Sequence, residues 1–170
     1  IRFWVTPRPF PGVCGLLRFF YRLFQIYLFF VRPLTLGVRV MLIRDGEVLL
    51  VRQTYMDGWF MPGGRIEKNE TLEQAARREA REEVGAELHA ISLLGAYSNF
   101  KEWKSDHNVL FLCEDFSLNG GHDREIAELR FFALGDLPSD VWPGHRQRLV
   151  EYNEVRRHAP GSAFIHFGEW

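Results

Sequence analysis

The order of patterns along the chain predicts a mixed α/β (α+β) fold, a β-sheet sandwiched between helices. Three observations carry that expectation. Leu36 to Ile43 and Glu47 to Gln53 are apolar strand-like runs joined by Arg44-Asp45-Gly46, the Asp-Gly turn of a tight hairpin. Glu70 to Val84 is the clearest helix, with Thr71 and Glu73 at its start, alanines along it and Gly85 as its stop. Strand-like runs at Glu87 to Ser98, Asn108 to Phe116 and Glu125 to Leu134 then lead to an amphipathic helix, Arg146 to His158. Between the hairpin and the first helix, Trp59 to Gly64 reads as a short aromatic strand running into a forced Pro62-Gly63-Gly64 loop.

Composition narrows the class. The 170 residues suit one domain with a sizeable core and one appended element. Hydrophobic residues at 46% and charged residues at 25% are a globular balance. A net charge of −1 gives no basic footprint for general nucleic-acid binding, so local chemistry must hold any anionic ligand. Cys14 and Cys113 are too far apart for a disulfide framework or a zinc spacing; two buried thiols in a reducing cytosol are expected.

Much of the aromatic excess lies before residue 31. From Leu16 to Val31 only Arg18, Arg22 and Gln25 interrupt an apolar and aromatic surface, and these three share one helical stripe. Pro33 ends the helix. Residues 1–33 are therefore expected as an aromatic, amphipathic helical extension and residues 34–170 as the main domain. The helix is short and carries two internal arginines, so spanning a bilayer is not expected, nor is a cleaved secretory signal. Its apolar face has three destinations: its own domain or a second copy as a homodimer contact, a membrane interface, or an uncleaved export signal. The expected location is cytoplasmic, at most peripheral to the inner membrane face.

The chemistry concentrates on the helix after the glycine loop. Glu79, Glu82 and Glu83 stand at i, i+3 and i+4, so three carboxylates share one face and repel unless a cation neutralises them. Carboxylates without Cys or His nearby suit hard ions, Mg²⁺ or Mn²⁺, and magnesium commonly binds carboxylates together with substrate phosphates. Arg78 is placed to fix a neighbouring carboxylate by a forked ion pair or to touch phosphate. Glu70 at the helix start can hold the loop to the first turn.

These residues resemble the Nudix box: Gly64, five residues, Glu70, seven residues, then Arg78-Glu79-Ala80-Arg81-Glu82-Glu83-Val84-Gly85-Ala86. Ala80 and Ala86 stand where bulkier aliphatics are usual, and both are packing positions. Leu49 to Arg52, Gly58 to Gly64 and Glu125 to Phe132 also look like family strands, so the likeness covers roughly Leu36 to Arg157. The resemblance implies a Nudix-type mixed sheet and hydrolysis of a nucleoside diphosphate linked to another moiety, giving a nucleotide and a phosphorylated product. Carried over by position, Glu79, Glu82 and Glu83 are expected to bind metal, with the Gly63 carbonyl as a further ligand. Arg78 would orient the glutamates, Glu70 would brace the loop or reach metal through water, and Gly64 and Gly85 would shape the loop and helix. Glu79 or Glu82 is the first choice of general base and Glu128 the second, the alternative for Glu128 being a salt bridge to Arg130.

A nucleotide-type small molecule is the expected substrate. Arg52 and Arg65 are candidates for its phosphates, and Trp59 and Phe60, with Tyr55, Phe100 and Trp103, for stacking on its base. The proline that often follows the box in ADP-ribose hydrolases is absent, Lys101 and Glu102 standing there, and no coenzyme A-type motif precedes the box. Removal of a 5′ diphosphate from RNA is disfavoured for want of a basic stripe. A nucleotide-binding or sensor module without turnover is the alternative; such proteins often lose box glutamates, and here all are present.

Overall fold

A computed structural model describes residues 34–100, 105–121, 123–158 and 165–170. The expected N-terminal helix, Cys14 and Trp103 lie outside the described residues. In order the elements are β1 (Leu34–Arg44), β2 (Glu47–Gln53), α1 (Leu72–Val84), β3 (Ala86–Asn99), β4 (Ser105–Leu118), β5 (Ile126–Ala133), α2 (Pro143–His158) and β6 (His166–Glu169). The strands form one mixed six-stranded sheet in the order β5-β2-β1-β4-β3-β6. The β1–β4 and β3–β6 pairs are parallel and the others antiparallel.

Alternation along β1 builds the two sides of the sheet. Val38, Val40 and Leu42 point to one side, where they meet Ala75, Ala76, Ala80 and Val84 of α1. Met41 and Ile43 point to the other, where Trp59, Met61, Tyr97 and Leu110 join Leu149 and Tyr152 of α2. The sheet thus lies between two helices, as the sequence predicts. The small alanines at the contact face of α1 let its backbone lie close to the sheet, so residues on its adjacent flank reach the loop that crosses the sheet's end.

Three expectations change. Trp59 and Phe60 make only isolated bridges, to Val141 and Val51, and the chain from Met61 onward is irregular because it crosses from β2 to β1. Helix α2 begins at Pro143, earlier than Arg146. The tail after Pro160, which carries no readable pattern, contributes β6 beside β3. No helix among the described residues is long and apolar enough to cross a membrane.

Candidate active site

Helix α1 is firmly bounded. Thr71 is its N-cap and forms a capping box with Gln74: Gln74 N donates to Thr71 Oγ1 (3.2 Å), and Thr71 N donates to Gln74 Oε1 (2.9 Å). At the other end Gly85 adopts the left-handed conformation (φ 63°) and donates back to the carbonyls of Ala80 and Arg81. The box glutamates therefore stand on a helix fixed at both ends.

The glycine loop is stitched to the sheet edge by backbone bonds. Val40 N donates to Pro62 O (2.9 Å), Val38 N to Gly64 O (2.9 Å) and Ile66 N to Leu36 O (3.2 Å). Gly63 has φ 135°, and a Cβ there would collide with the Val38 carbonyl, so only glycine fits without displacing β1. At Gly64 a Cβ would lie 2.6 Å from Glu79 Oε1, so the bare backbone leaves the space that the Glu79 carboxylate fills.

Arg78 links the loop to the helix. Its Nε and Nη2 form a fork on Glu70 Oε1 (2.9 Å) and Oε2 (3.0 Å), and Nη2 also donates to Arg65 O (3.0 Å). Nη1 donates to Glu79 Oε1 (2.8 Å) and Glu82 Oε2 (3.1 Å). Glu70 additionally accepts from Glu67 N (3.0 Å), which ties the loop to the first helical turn. The Arg78 hydrogen bond holds the Glu70 carboxyl below its usual value, and Glu70 in turn raises the Arg78 guanidinium. A planar fork is what allows one side chain to bridge so many oxygens.

The three box carboxylates occupy different surroundings. Glu82 is half exposed. Glu79 is largely buried, and desolvation pushes its carboxyl up against the pull of Arg78. Glu83 accepts from Gly63 N at 2.7 Å, and burial pushes its carboxyl up to about 7 despite that bond, Arg39 and Gln53. As the side chains stand, no three His, Cys, Asp or Glu groups among the described residues converge closely enough to grip an ion.

Sequence reasoning missed Arg39 and Gln53. Arg39 Nη1 donates to the Gly63 carbonyl, the group expected as a metal ligand. Burial lowers the Arg39 guanidinium while Glu83, Glu79 and Asp106 pull it back up. A lone arginine in the apolar run Val38-Arg39-Val40-Met41 was the available signal, because a charge in a buried strand needs partners. Gln53, at a register shift in β2, lies near the Glu83 carboxylate and pulls it back down.

The stacking roles expected of Trp59 and Phe60 are corrected. Both are buried, at 3% and 5% exposure, and cannot present a face to a ligand. Trp59 packs edge-on against Phe132 with the Arg52 guanidinium over its ring, and Phe60 stacks on Trp142. Tyr55 and Phe100 are the exposed aromatics among those named. Arg52 is partly exposed and pairs with Asp140 (2.9 Å) and Glu128 (3.8 Å). Glu128 also pairs with Arg130, so β5 presents it between two guanidiniums.

A clamped glycine loop beside a capped acidic helix, on a mixed sheet between two helices, defines the architecture of a Nudix-type phosphoanhydride hydrolase. The NUDIX domain pattern matches residues 33–152, and the chain belongs to that family. An ADP-ribose pyrophosphatase of Methanocaldococcus jannaschii is 31% identical over 116 residues, covering 64% of this chain and 67% of that protein. An RNA pyrophosphohydrolase of Halorhodospira halophila is 46% identical over 66 residues, covering 39% of this chain and 36% of its own length. The crystal structure of a NUDIX hydrolase from Nitrosomonas europaea matches with a TM-score of 0.65 at 27% identity, over 80% of this chain and 78% of that one. The chain is a hydrolase acting on phosphorus anhydrides.

Proposed function

We propose that this chain hydrolyses the diphosphate linkage of a nucleoside diphosphate derivative, giving a nucleoside monophosphate and a phosphorylated second product, with Mg²⁺ or Mn²⁺ at Glu79, Glu82 and Glu83. The observation that carries the reading is the acidic flank of α1 lying against the Gly63-Gly64 loop and braced by Arg78.

The donor set fits a hard divalent ion. It consists of carboxylate oxygens on adjacent turns of one helix, and two of those carboxyls are pushed up by burial, the state of acids short of positive charge. Nudix hydrolases generally use such ions. Holding one requires Glu82 to turn from Arg78 toward Glu79 and Glu83, a side-chain movement open to a half-exposed residue. When bound, the ion supplies charge for the bridging phosphates and lowers the pKa of a water.

The chain's own groups do the rest. Glu79 or Glu82 would take the proton of the attacking water, and Glu79 Oε2 is an oxygen that Arg78 does not engage. Arg78 keeps the helix face and the loop in register, so that the attacked phosphorus meets the carboxylates in one orientation. Arg52 and Arg130 on the neighbouring strands offer partly exposed guanidiniums for the outer phosphate. Glu128, held between them, positions both cations and is the second choice of base. Tyr55 and Phe100 are the exposed rings available to a nucleobase.

The relatives' names support a nucleotide-linked diphosphate without choosing one, because the box contacts only what those substrates share. A panel of nucleoside diphosphate conjugates, nucleoside triphosphates and 5′-triphosphorylated RNA, assayed with Mg²⁺ or Mn²⁺ and product identification, tests the reading. Monophosphate release from a conjugate is the expected result. Turnover confined to the RNA would replace the substrate class, and no metal-dependent turnover on any member would remove the proposal.

A further inference from the structure

Gly63 is gripped through both of its backbone polar groups. Its N–H donates to Glu83 Oε2 at 2.7 Å, and its carbonyl accepts from Arg39 Nη1. Nη1 also approaches the Met61 carbonyl at 3.5 Å. Arg39 comes from β1, the strand to which the loop is stitched, and its neighbours Val38 and Val40 are fully buried. A guanidinium in such surroundings persists only with counter-charges facing it. Those present are Glu83 and Glu79 from α1 and Asp106 from β4, which is itself held by Thr35 (2.6 Å) and Asn108 (3.3 Å). His145 from α2 also lies in the Arg39 field. Arg39 and Glu83 thus hold the two backbone groups of Gly63, Glu83 and Glu79 lie in the field of Arg39, and the carbonyl expected as a ligand already has a donor.

We propose that Arg39 is a built-in counter-cation for Glu79 and Glu83 that competes with the divalent ion, so that metal loading and release of the Gly63 carbonyl by Arg39 are one coupled step. The inference rests on the metal site assigned above. Without an ion, Arg39 adds its charge to that of Arg78, which pairs with Glu79, and holds the loop in its crossing shape. With an ion, a unit positive charge stands beside a divalent one in a poorly solvated site, and the two repel. Arg39 is therefore a positioning residue that sets how tightly the ion is held, acting through the loop and the carboxylates rather than on the substrate.

Mn²⁺ affinity of the full chain, read from the electron paramagnetic resonance of the free ion, tests the coupling directly. Arg39→Met is expected to bind Mn²⁺ at least about tenfold more tightly than wild type, because an adjacent charge is removed. Arg39→Lys keeps that charge and is expected to stay within about threefold of wild type. Glu83→Gln should bind at least about tenfold more weakly, because it removes an anionic ligand. Unchanged or weaker binding by Arg39→Met, with Glu83→Gln impaired, overturns the role of Arg39. Binding indifferent to Glu83→Gln overturns the metal site beneath it. A readout on the wild-type chain guards against a variant that does not fold. In a Mg²⁺ titration followed by arginine side-chain NMR, with Arg39→Lys giving the assignment, the Arg39 guanidinium signals should move in step with Mg²⁺ saturation. Signals that stay in place at saturation overturn the proposal.

Discussion

In Glu83→Gln the buried carboxylate beneath the glycine loop becomes an amide of the same shape. The amide oxygen can still accept from Gly63 N, and Gln53 can turn its own amide to meet the new N–H₂ group. What disappears is the charge that burial disfavours. A carboxyl raised from 4.5 to about 7 by folding corresponds to about 3 kcal/mol of lost stability once ionised, at about 1.4 kcal/mol per pH unit. By linkage, between pH 4.5 and about 7 this site binds more protons in the folded state than in the unfolded one, so the Glu83 contribution to stability falls as pH rises through that window. Glu83→Gln lacks this slope. In chelator, urea unfolding should find it more stable than wild type by about 1–3 kcal/mol at pH 8, with the difference closing toward pH 4.5. Its metal-dependent turnover should nonetheless fall by orders of magnitude. A variant less stable than wild type at pH 8, or parallel pH profiles for the two proteins, would show that folding does not disfavour the Glu83 charge.

The two loop glycines should behave differently. Gly64→Ala presses on the end of the Glu79 side chain, so turnover should drop about 100-fold while the melting temperature changes little. Gly63→Ala meets the Val38 backbone at a positive φ and should cost about 3 kcal/mol or more in urea unfolding. His145 is buried with Nδ1 accepting from Met61 N (2.8 Å), and burial pushes its pKa well below 6.5. As pH falls below about 6.5 the unfolded state takes up the proton and the folded state does not, so the His145 contribution declines by up to about 1.4 kcal/mol per pH unit, opposite in sign to that of Glu83. His145→Asn keeps an acceptor without the titration, so its stability relative to wild type should rise as pH falls from 6.5 to 5 in matched urea curves.

Local pattern made much of this protein legible. The hairpin around Asp45-Gly46, the helix ending at Gly85 and the grouping of Glu70, Arg78, Glu79 and Glu82 depend on residues near one another in the chain, where spacing converts directly to geometry. The relations that sequence left unread join distant segments. Arg39 reaches Gly63 only because the loop returns to β1, and Gln53 reaches Glu83 only because β2 shifts register beside the helix. Trp59 and Phe60 looked available because they flank a loop. The bridges to Val141 and Val51 turn them inward, against Phe132 and Trp142. Strand β6 has a mostly exposed, weakly patterned sequence whose pairing is provided by β3 rather than by its own residues.

We propose that the carboxylates beside the glycine loop perform the hydrolysis. Turnover of the best conjugate from the panel, measured with Mg²⁺ for wild type, Glu82→Gln and Glu128→Gln, decides it. Glu82→Gln is expected to lose at least about 100-fold in kcat while its fold and melting temperature are retained, because Glu82 is half exposed and has little packing to lose. Glu128→Gln should lose less, since Arg52 and Arg130 remain. Wild-type kcat in Glu82→Gln would remove these carboxylates from the reaction.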